Sequence, residues 1–257
     1  MKTVGIGGTR LEYVRLPSAH PREGAPAIVF LHEGLGSVAM WRDFPQRVAD
    51  ATGCEAIVYS RAGYGRSDPA TLPRTVRYMH DEGLTVLPAL LAELGVERPL
   101  LFGHSDGGSI ALICAGGTDV ALSGLILMAP HVIVEDISVA SIAAAGQAWT
   151  TTDLPSRLGR YHNDVEAAFR GWNDIWLHPD FRAWNIEQYL PGITVAVLAI
   201  QGEDDEYGTM TQIERIAAQA PDVELCRLAD CRHSPHKDQP QAVLDTVAAF
   251  VERVLED

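Results

Sequence analysis

The sequence predicts an α/β protein built on a mostly parallel sheet of eight strands flanked by helices. Three observations support this prediction. Short, continuous apolar runs alternate with segments of helical periodicity, as expected for strands that crossover helices bury on both faces. Several of these runs end in loops rich in glycine and polar residues. The chain has 257 residues, 47% of them hydrophobic, which is enough to bury one large core.

The predicted strands and helices follow one another in a regular order. Residues 3–16 predict two antiparallel edge strands joined by a tight turn at Gly7 and Gly8. Continuous apolar runs predict buried strands at 27–31, 56–59, 100–102, 125–128, 195–200 and 223–228. Apolar residues at helical spacing predict helices at 41–51, 76–94, 109–115, 211–220 and 241–255.

Residues 131–190 interrupt this alternation. The segment contains no clear strand and predicts several short helices. It holds four of the five tryptophans, which are Trp149, Trp172, Trp176 and Trp184. A helical insertion rich in aromatic residues is suited to cover an apolar pocket above a sheet. We therefore expect a core formed by residues 1–130 and 191–257, interrupted by a cap or lid at 131–190.

The composition limits the class of partner. The formal net charge is −14 and no run of lysine or arginine occurs, so neither nucleic acid nor an anionic membrane surface is an expected partner. The four cysteines lack metal-ligand spacing and are typical of small core residues in a reducing compartment. Residues 1–24 lack the apolar region of a signal peptide. We expect a cytoplasmic monomer or homodimer that acts on a small molecule.

A serine stands at the centre of one glycine-rich turn. Gly103-His104-Ser105-Asp106-Gly107 lies between the predicted strand 100–102 and the predicted helix 109–115. The flanking glycines permit a strained turn and a close approach of strand and helix. The serine hydroxyl would then be exposed at the carboxyl end of the sheet, where a helix N-terminus favours negative charge. The motif predicts that Ser105 is a nucleophile.

A serine hydroxyl needs a base, and the base needs an acid that holds its tautomer. The strand at 195–200 leads into Gly202-Glu203-Asp204-Asp205, and the strand at 223–228 leads into Arg232-His233-Ser234-Pro235-His236. Because loops at the carboxyl ends of parallel strands meet at one edge of the sheet, these loops can supply both groups. The candidate acids are Asp205 and Asp204, and the candidate bases are His233 and His236.

These motifs resemble those of the α/β-hydrolase superfamily, whose triad runs serine, acid, histidine along the chain. The resemblance covers nearly all of the chain and implies an α/β-hydrolase fold with a helical lid insertion. It implies that the acid is Asp205, three residues after Gly202, and that the base is His233. No metal and no organic cofactor is implied, because no cluster has ligand spacing and no phosphate-binding loop is present.

The resemblance also implies an oxyanion hole. One donor would be the backbone amide of Asp106, and the second would be that of Gly34 or Leu35. The sequence departs from the family pattern at Glu33, which follows His32 where glycine is frequent. A carboxylate beside a developing oxyanion is unfavourable, so we expect Glu33 to turn away and to pair with an arginine such as Arg61. Ser60 replaces an aspartate that is frequent in the family.

Four residues are candidates for substrate binding: Asp106, His131, Trp149 and Trp176. The Gly-x-Ser-Asp-Gly-Gly form resembles valacyclovir hydrolase and its relatives, in which this aspartate recognises a substrate amine. The alternative is that Asp106 caps the helix or pairs locally. The other three residues, together with Met128, are expected to line the pocket.

The residues together predict a serine hydrolase that cleaves a small carboxylic ester, thioester or activated amide through an acyl-enzyme. One alternative is hydrolysis of a carbon–carbon bond in a vinylogous keto acid, as in the degradation of aromatic compounds. Arg157, Arg160 and Arg170 would then supply a cationic patch in the lid. A second alternative is a ligand receptor of the same fold with slow turnover or none.

Overall fold

The computed structural model describes residues 2–256, and one eight-stranded sheet runs through them. The spatial order of the strands is β1-β2-β4-β3-β5-β6-β7-β8. Strands β1 and β2 are antiparallel, and the strands from β4 to β8 pair in parallel. The predicted eight-stranded, mostly parallel sheet is confirmed. The strands are β1 (Lys2–Ile6), β2 (Thr9–Leu16), β3 (Ile28–Leu31), β4 (Ala56–Tyr59), β5 (Leu100–His104), β6 (Gly124–Met128), β7 (Val197–Gly202) and β8 (Val223–Leu228).

Helices cover both faces of this sheet. They are α1 (Phe44–Thr52), α2 (Tyr78–Asp81), α3 (Leu87–Glu93), α4 (Asp106–Gly117), α5 (Asp136–Thr151), α6 (Leu154–Leu158), α7 (Val165–Trp176), α8 (Thr211–Gln219), α9 (Pro235–Asp238) and α10 (Pro240–Glu256). The predicted helix at 76–94 is present from Tyr78 to Glu93, with a π-helical turn at Glu82–Val86 between α2 and α3. Pro88, which lacks the N–H that a continuous helix would use, lies in the first turn of α3.

Every residue of strands β3 to β7 is buried. Alternate residues of each strand pack against opposite layers of helices. Phe30 and Phe102 contact the layer of α1 and α10, whereas Val29 and Leu101 contact the layer that includes α3 and α4. Burial on both faces is the physical reason why these strands are continuous apolar runs in the sequence.

Residues 131–190 form α5, α6, α7 and two 3₁₀ turns, at Pro179–Ala183 and Glu187–Gly192. Two hydroxyls on α5 attach this segment to the loop after β7. Ser138 Oγ donates to the carbonyl of Tyr207, and Ser141 Oγ donates to that of Glu206, each at 2.5 Å. That the segment acts as a lid stays a prediction. No helix within residues 2–256 is long and apolar enough to cross a membrane.

Candidate active site

Ser105 lies at the sharp turn between β5 and α4. Its backbone has φ 53° and ψ −119°, and its amide donates to the carbonyl of Met128 on β6 at 2.9 Å. The two flanking glycines are required by contact. A Cβ on Gly103 would overlap the backbone of Gly107, and one on Gly107 would overlap the carbonyl of Leu31. The turn therefore holds a strained serine between a strand and a helix that approach closely.

The structure brings Ser105, His233 and Asp205 together. His233 Nε2 lies 3.0 Å from Ser105 Oγ, and His233 Nδ1 lies 2.9 Å from both carboxylate oxygens of Asp205. Because an ionised carboxylate only accepts hydrogen bonds, Nδ1 carries the proton. Nε2 is then free to accept the proton of the serine hydroxyl.

The Asp205 carboxylate is buried but well supplied with donors. The amides of Tyr207 and Gly208 donate to Oδ1 at 2.8 and 3.3 Å, and Gln201 Nε2 donates to Oδ2 at 2.7 Å. Burial alone would raise the pKa of Asp205. The attraction and hydrogen bond of His233, together with the Tyr207 amide, outweigh it and hold the pKa below its usual value. The carboxylate therefore stays ionised beside His233.

The alternative acid, Asp204, and the alternative base, His236, are not part of the hydrogen-bond chain of Ser105, His233 and Asp205. Asp204 is exposed to solvent. His236 is buried in an aromatic cluster, where its ring centroid lies 5.1 Å from that of Trp41 and 5.3 Å from that of Phe44. Neither hydrogen-bonds to Ser105.

The loop after β3 is shaped by two buried side chains, His32 and Arg61. His32 Nε2 accepts the amide of Arg61 at 3.1 Å, so Nδ1 carries the proton and donates to the Glu33 carbonyl at 2.6 Å. Arg61 Nη2 donates to the same carbonyl at 3.0 Å. Because the C=O and N–H of a trans peptide point in opposite directions, the amide of Gly34 is turned the other way. Gly34, Leu35 and Asp106 border one cavity, and their amides donate to no other residue within 2–256.

The expected pair between the Glu33 carboxylate and Arg61 is wrong. Arg61 contacts the backbone carbonyl of Glu33, while the carboxylate lies 3.6 Å from His104 Nδ1 and 3.9 Å from Lys237 Nζ. Glu33 is also among the residues that border the cavity beside Ser105. Burial would raise the pKa of Glu33, but His104 and Lys237 outweigh it and hold the pKa well below its usual value.

His104 was not predicted to belong to this site, because it occupies a variable position of the serine motif. Its side chain is 1% exposed, and its Nε2 donates to the backbone carbonyl of His233 at 2.7 Å. His104 thereby joins the Glu33 loop to the His233 loop. The signal available in the sequence was only that a histidine directly precedes Ser105.

Ser60 takes part in a buried network at the edge of the site. Its hydroxyl donates to Glu12 Oε1 at 2.6 Å and accepts the amide of Val38 at 2.9 Å. Glu12, on β2, is 1% exposed. A carboxylate is thus present beside this turn, but it comes from another strand.

A cavity of about 120 Å³ opens beside Ser105. The predicted residues His131 and Trp176 line it, together with four apolar or aromatic residues not predicted for this role: Leu35, Ile142, Trp172 and Tyr207. The expectations for Trp149 and Met128 are not met. Trp149 stacks on Phe169 instead, with ring centroids 4.1 Å apart, and Met128 is fully buried in the sheet.

The Asp106 side chain is engaged by its neighbours. It is 1% exposed, and Tyr78 donates its hydroxyl to Oδ2 at 2.7 Å while Arg61 Nη2 lies 3.9 Å from the same oxygen. Trp176 Nε1 donates to the Tyr78 oxygen at 3.1 Å. Burial and the adjacent carboxylate raise the pKa of Tyr78 well above its usual value, so the phenol keeps its proton. The carboxylate makes no side-chain cap on α4 but pairs locally.

The sequence is similar to a known protein family, and the fold is similar to those of solved structures. A model of the alpha/beta hydrolase family matches residues 28–246. No curated protein sequence matches the chain. Similar solved structures include the proline iminopeptidase of Mycobacterium smegmatis, with a TM-score of 0.79 and 20% identity over 98% of each chain.

Two further structures show the same likeness. The enol-lactonase of Burkholderia xenovorans LB400 has a TM-score of 0.76 and 20% identity, covering 98% of this chain and 100% of its own. The esterase of Exiguobacterium antarcticum has a TM-score of 0.76 and 18% identity, covering 98% of this chain and 99% of its own. At these identities the likeness shows the fold.

Proposed function

Because the chain belongs to the alpha/beta hydrolase family, we propose that it cleaves a small carboxylic ester, thioester or activated amide through an acyl-enzyme on Ser105. The observation that carries this proposal is the unbroken hydrogen-bond chain from Ser105 Oγ through His233 to Asp205. In this arrangement His233 activates the Ser105 hydroxyl as a nucleophile, and Asp205 holds the His233 ring in position.

In the first half-reaction, His233 Nε2 takes the proton of Ser105 as Oγ attacks the acyl carbon. Asp205 stabilises the imidazolium that forms. The amide of Asp106 and that of Gly34 or Leu35 donate to the oxyanion. His233 then gives its proton to the leaving group, and the acyl group remains on Ser105. In the second half-reaction, water gives a proton to His233 as its oxygen attacks the acyl carbon. His233 then returns this proton to Ser105 Oγ as the bond between Oγ and the acyl carbon breaks and the acid leaves.

The small volume of the cavity favours a substrate with a small acyl group. Its volume of about 120 Å³ holds only a few non-hydrogen atoms beyond the scissile carbonyl. Its walls are mostly apolar, which suits an uncharged acyl chain. The proposed class is therefore a short-chain ester or thioester.

The contacts of the predicted cationic patch favour ester cleavage over cleavage of a carbon–carbon bond. Arg157, Arg160 and Arg170 are exposed, and none of them lines the cavity. Arg157 instead lies near Asp153, just before α6, and Arg170 lies near Asp174 on α7. No lysine or arginine of residues 2–256 borders the cavity to hold the carboxylate of a keto acid.

Turnover of p-nitrophenyl esters, from acetate to octanoate, tests the proposal and separates it from the receptor alternative. We expect the wild type to prefer the short esters. Ser105→Ala and His233→Ala should each lower kcat at least about 1,000-fold. Asp204→Asn, which changes an exposed neighbour of the proposed acid, is the matched control for Asp205→Asn.

A fluorophosphonate label located by mass spectrometry gives a second readout. We expect one adduct, on Ser105, and none on Ser105→Ala. If the folded wild type shows neither turnover nor an adduct, the hydrolase proposal is contradicted and the ligand-receptor alternative is favoured.

A further inference from the structure

His131 is a polar side chain in the cavity wall whose hydrogen-bonding capacity is unused. It is 3% exposed, and neither ring nitrogen hydrogen-bonds within residues 2–256. Its Nδ1 is fully enclosed without a partner. Nε2 is the ring nitrogen that is not enclosed, so it is the one that a ligand in the cavity can reach. A bound ligand that displaces solvent from Nε2 has to supply its hydrogen-bond partner.

The position of the ring is fixed on several sides. Ser109 Oγ donates to the His131 carbonyl at 2.6 Å and accepts its amide at 3.2 Å. The ring packs edge to face on Trp176, with centroids 5.1 Å apart, and lies 5.8 Å from the His233 ring. Its Cε1 and Nδ1 atoms are 3.3 and 3.4 Å from the position that a Cβ would take on Gly208. The Cε1–Nδ1 edge of the ring therefore faces Gly208, which leaves the Nε2 edge for the cavity.

The surroundings also fix the charge and the tautomer of this imidazole. Burial and the nearby His233 lower the pKa of His131 to about 3, so the ring is neutral at physiological pH. A neutral imidazole has one N–H and one lone pair. An enclosed N–H without an acceptor is more costly than an enclosed lone pair, so the lone pair belongs on Nδ1. Nε2 then presents an N–H to a cavity with otherwise mostly apolar walls.

We propose that His131 determines substrate specificity by donating from Nε2 to an oxygen on the acyl group, and that the substrate is a short hydroxyacyl or oxoacyl ester or thioester. The inference rests on the proposed function, because it requires the acyl group to be attached to Ser105 beside this ring. The small volume of the cavity places the acyl oxygen within a few bonds of the scissile carbonyl.

Matched pairs of esters test this proposal. The pairs are p-nitrophenyl 3-hydroxybutyrate against butyrate, and p-nitrophenyl 4-oxopentanoate against pentanoate. We expect the wild type to favour the oxygenated member of at least one pair by about fivefold to tenfold in kcat/KM, as one net hydrogen bond predicts. In His131→Phe, which keeps a ring without a donor, this ratio should fall to about one.

Two further variants separate specificity from general damage. His131→Gln, whose amide is again a donor, should retain part of the preference. Trp149→Phe, in the same insertion but outside the cavity, should keep the full preference. Equal rates on both members of each pair in the wild type would overturn the role of His131 and leave the proposed hydrolase intact. Retention of the preference in His131→Phe would overturn it too. Failure of the wild type to cleave any of the four esters would overturn the proposed function instead.

Discussion

His104 Nε2 lies 2.7 Å from the carbonyl oxygen of His233, so the residue directly before the serine hydrogen-bonds to the residue that faces the serine. A carbonyl only accepts, so this nitrogen carries a proton. The contact ties the end of β5 to the loop that holds the His233 imidazole. Beyond it, Glu33 lies 3.6 Å from the other ring nitrogen. Three loops at the carboxyl edge of the sheet are joined through this one buried ring.

Replacing His104 should reduce catalysis more than binding. His104→Phe keeps a ring of similar size but leaves the His233 carbonyl without its donor, so the imidazole is less well held. Because a displacement of about 1 Å costs on the order of 100-fold in rate, we expect kcat to fall 10- to 100-fold with little change in KM. Steady-state kinetics on p-nitrophenyl acetate measures this. His104→Gln, which can donate again, should recover part of the rate, and equal kcat values in all three proteins would contradict the role.

Glu33 should make stability depend on pH in the acid range. Its pKa lies well below the ordinary value of 4.5, so ionised Glu33 stabilises the native state. This stabilisation is fully present above the ordinary value and is lost as the pH falls through the folded-state pKa. We expect Glu33→Gln to lower the free energy of unfolding by about 1–3 kcal/mol at pH 7, with the difference shrinking as the pH falls below 4.5.

Urea denaturation at several pH values measures this difference. Glu203→Gln, at an exposed position, is the control and should match the wild type throughout. A destabilisation by Glu33→Gln that is the same at every pH would show that the ionised carboxylate is not its cause.

The indole of Trp172 constrains the loop that carries the proposed oxyanion donors. A Cβ on Gly34 would overlap the indole nitrogen of Trp172. Gly34→Ala should therefore displace the amides of this loop and lower kcat about 100-fold or more, the usual effect of losing one oxyanion donor. Adding Trp172→Ala removes the clash, so the double variant should be at least tenfold faster than Gly34→Ala alone. Double-mutant kinetics that are simply additive would exclude this steric mechanism.

Asp106 should contribute more to stability than to recognition of an amine. Asp106→Asn keeps an acceptor for Tyr78 but removes the charge opposite buried Arg61, and breaking a buried pair costs about 3 kcal/mol. Tyr78→Phe loses one neutral hydrogen bond and one to a carboxylate and should cost about 2–4 kcal/mol. Chemical denaturation ranks the two variants. Asp106→Asn should slow aminoacyl and plain acyl esters equally, whereas a selective loss on the aminoacyl ester would assign the carboxylate to the substrate.

The fold was predictable because burial on both faces leaves a simple pattern. A strand in the middle of a parallel sheet has no polar face, so β3 to β7 are continuous apolar runs that any scan of the sequence finds. The π-helical turn at Glu82–Val86 was not predicted, because the apolar spacing continues through it. Pro88, which has no N–H to donate, is the residue in the sequence that signals it.

The side-chain partners in the site depend on tertiary packing that no local pattern encodes. Arg61 follows β4, and only the folded sheet shows that it contacts the Glu33 carbonyl and not the carboxylate. The sequence does contain a signal that separates the tryptophans lining the cavity from Trp149. Trp172 and Trp176 are four residues apart, which places them on one face of α7, and both line the cavity.

The left-handed backbone conformation of Ser105 links the stability of this protein to the position of its proposed nucleophile. Every residue with a Cβ is held there at a penalty of about 1–3 kcal/mol, and glycine alone would relax it. The packing of β5 against its neighbours must make up that deficit, and a destabilising change in this part of the core would be felt first at the serine.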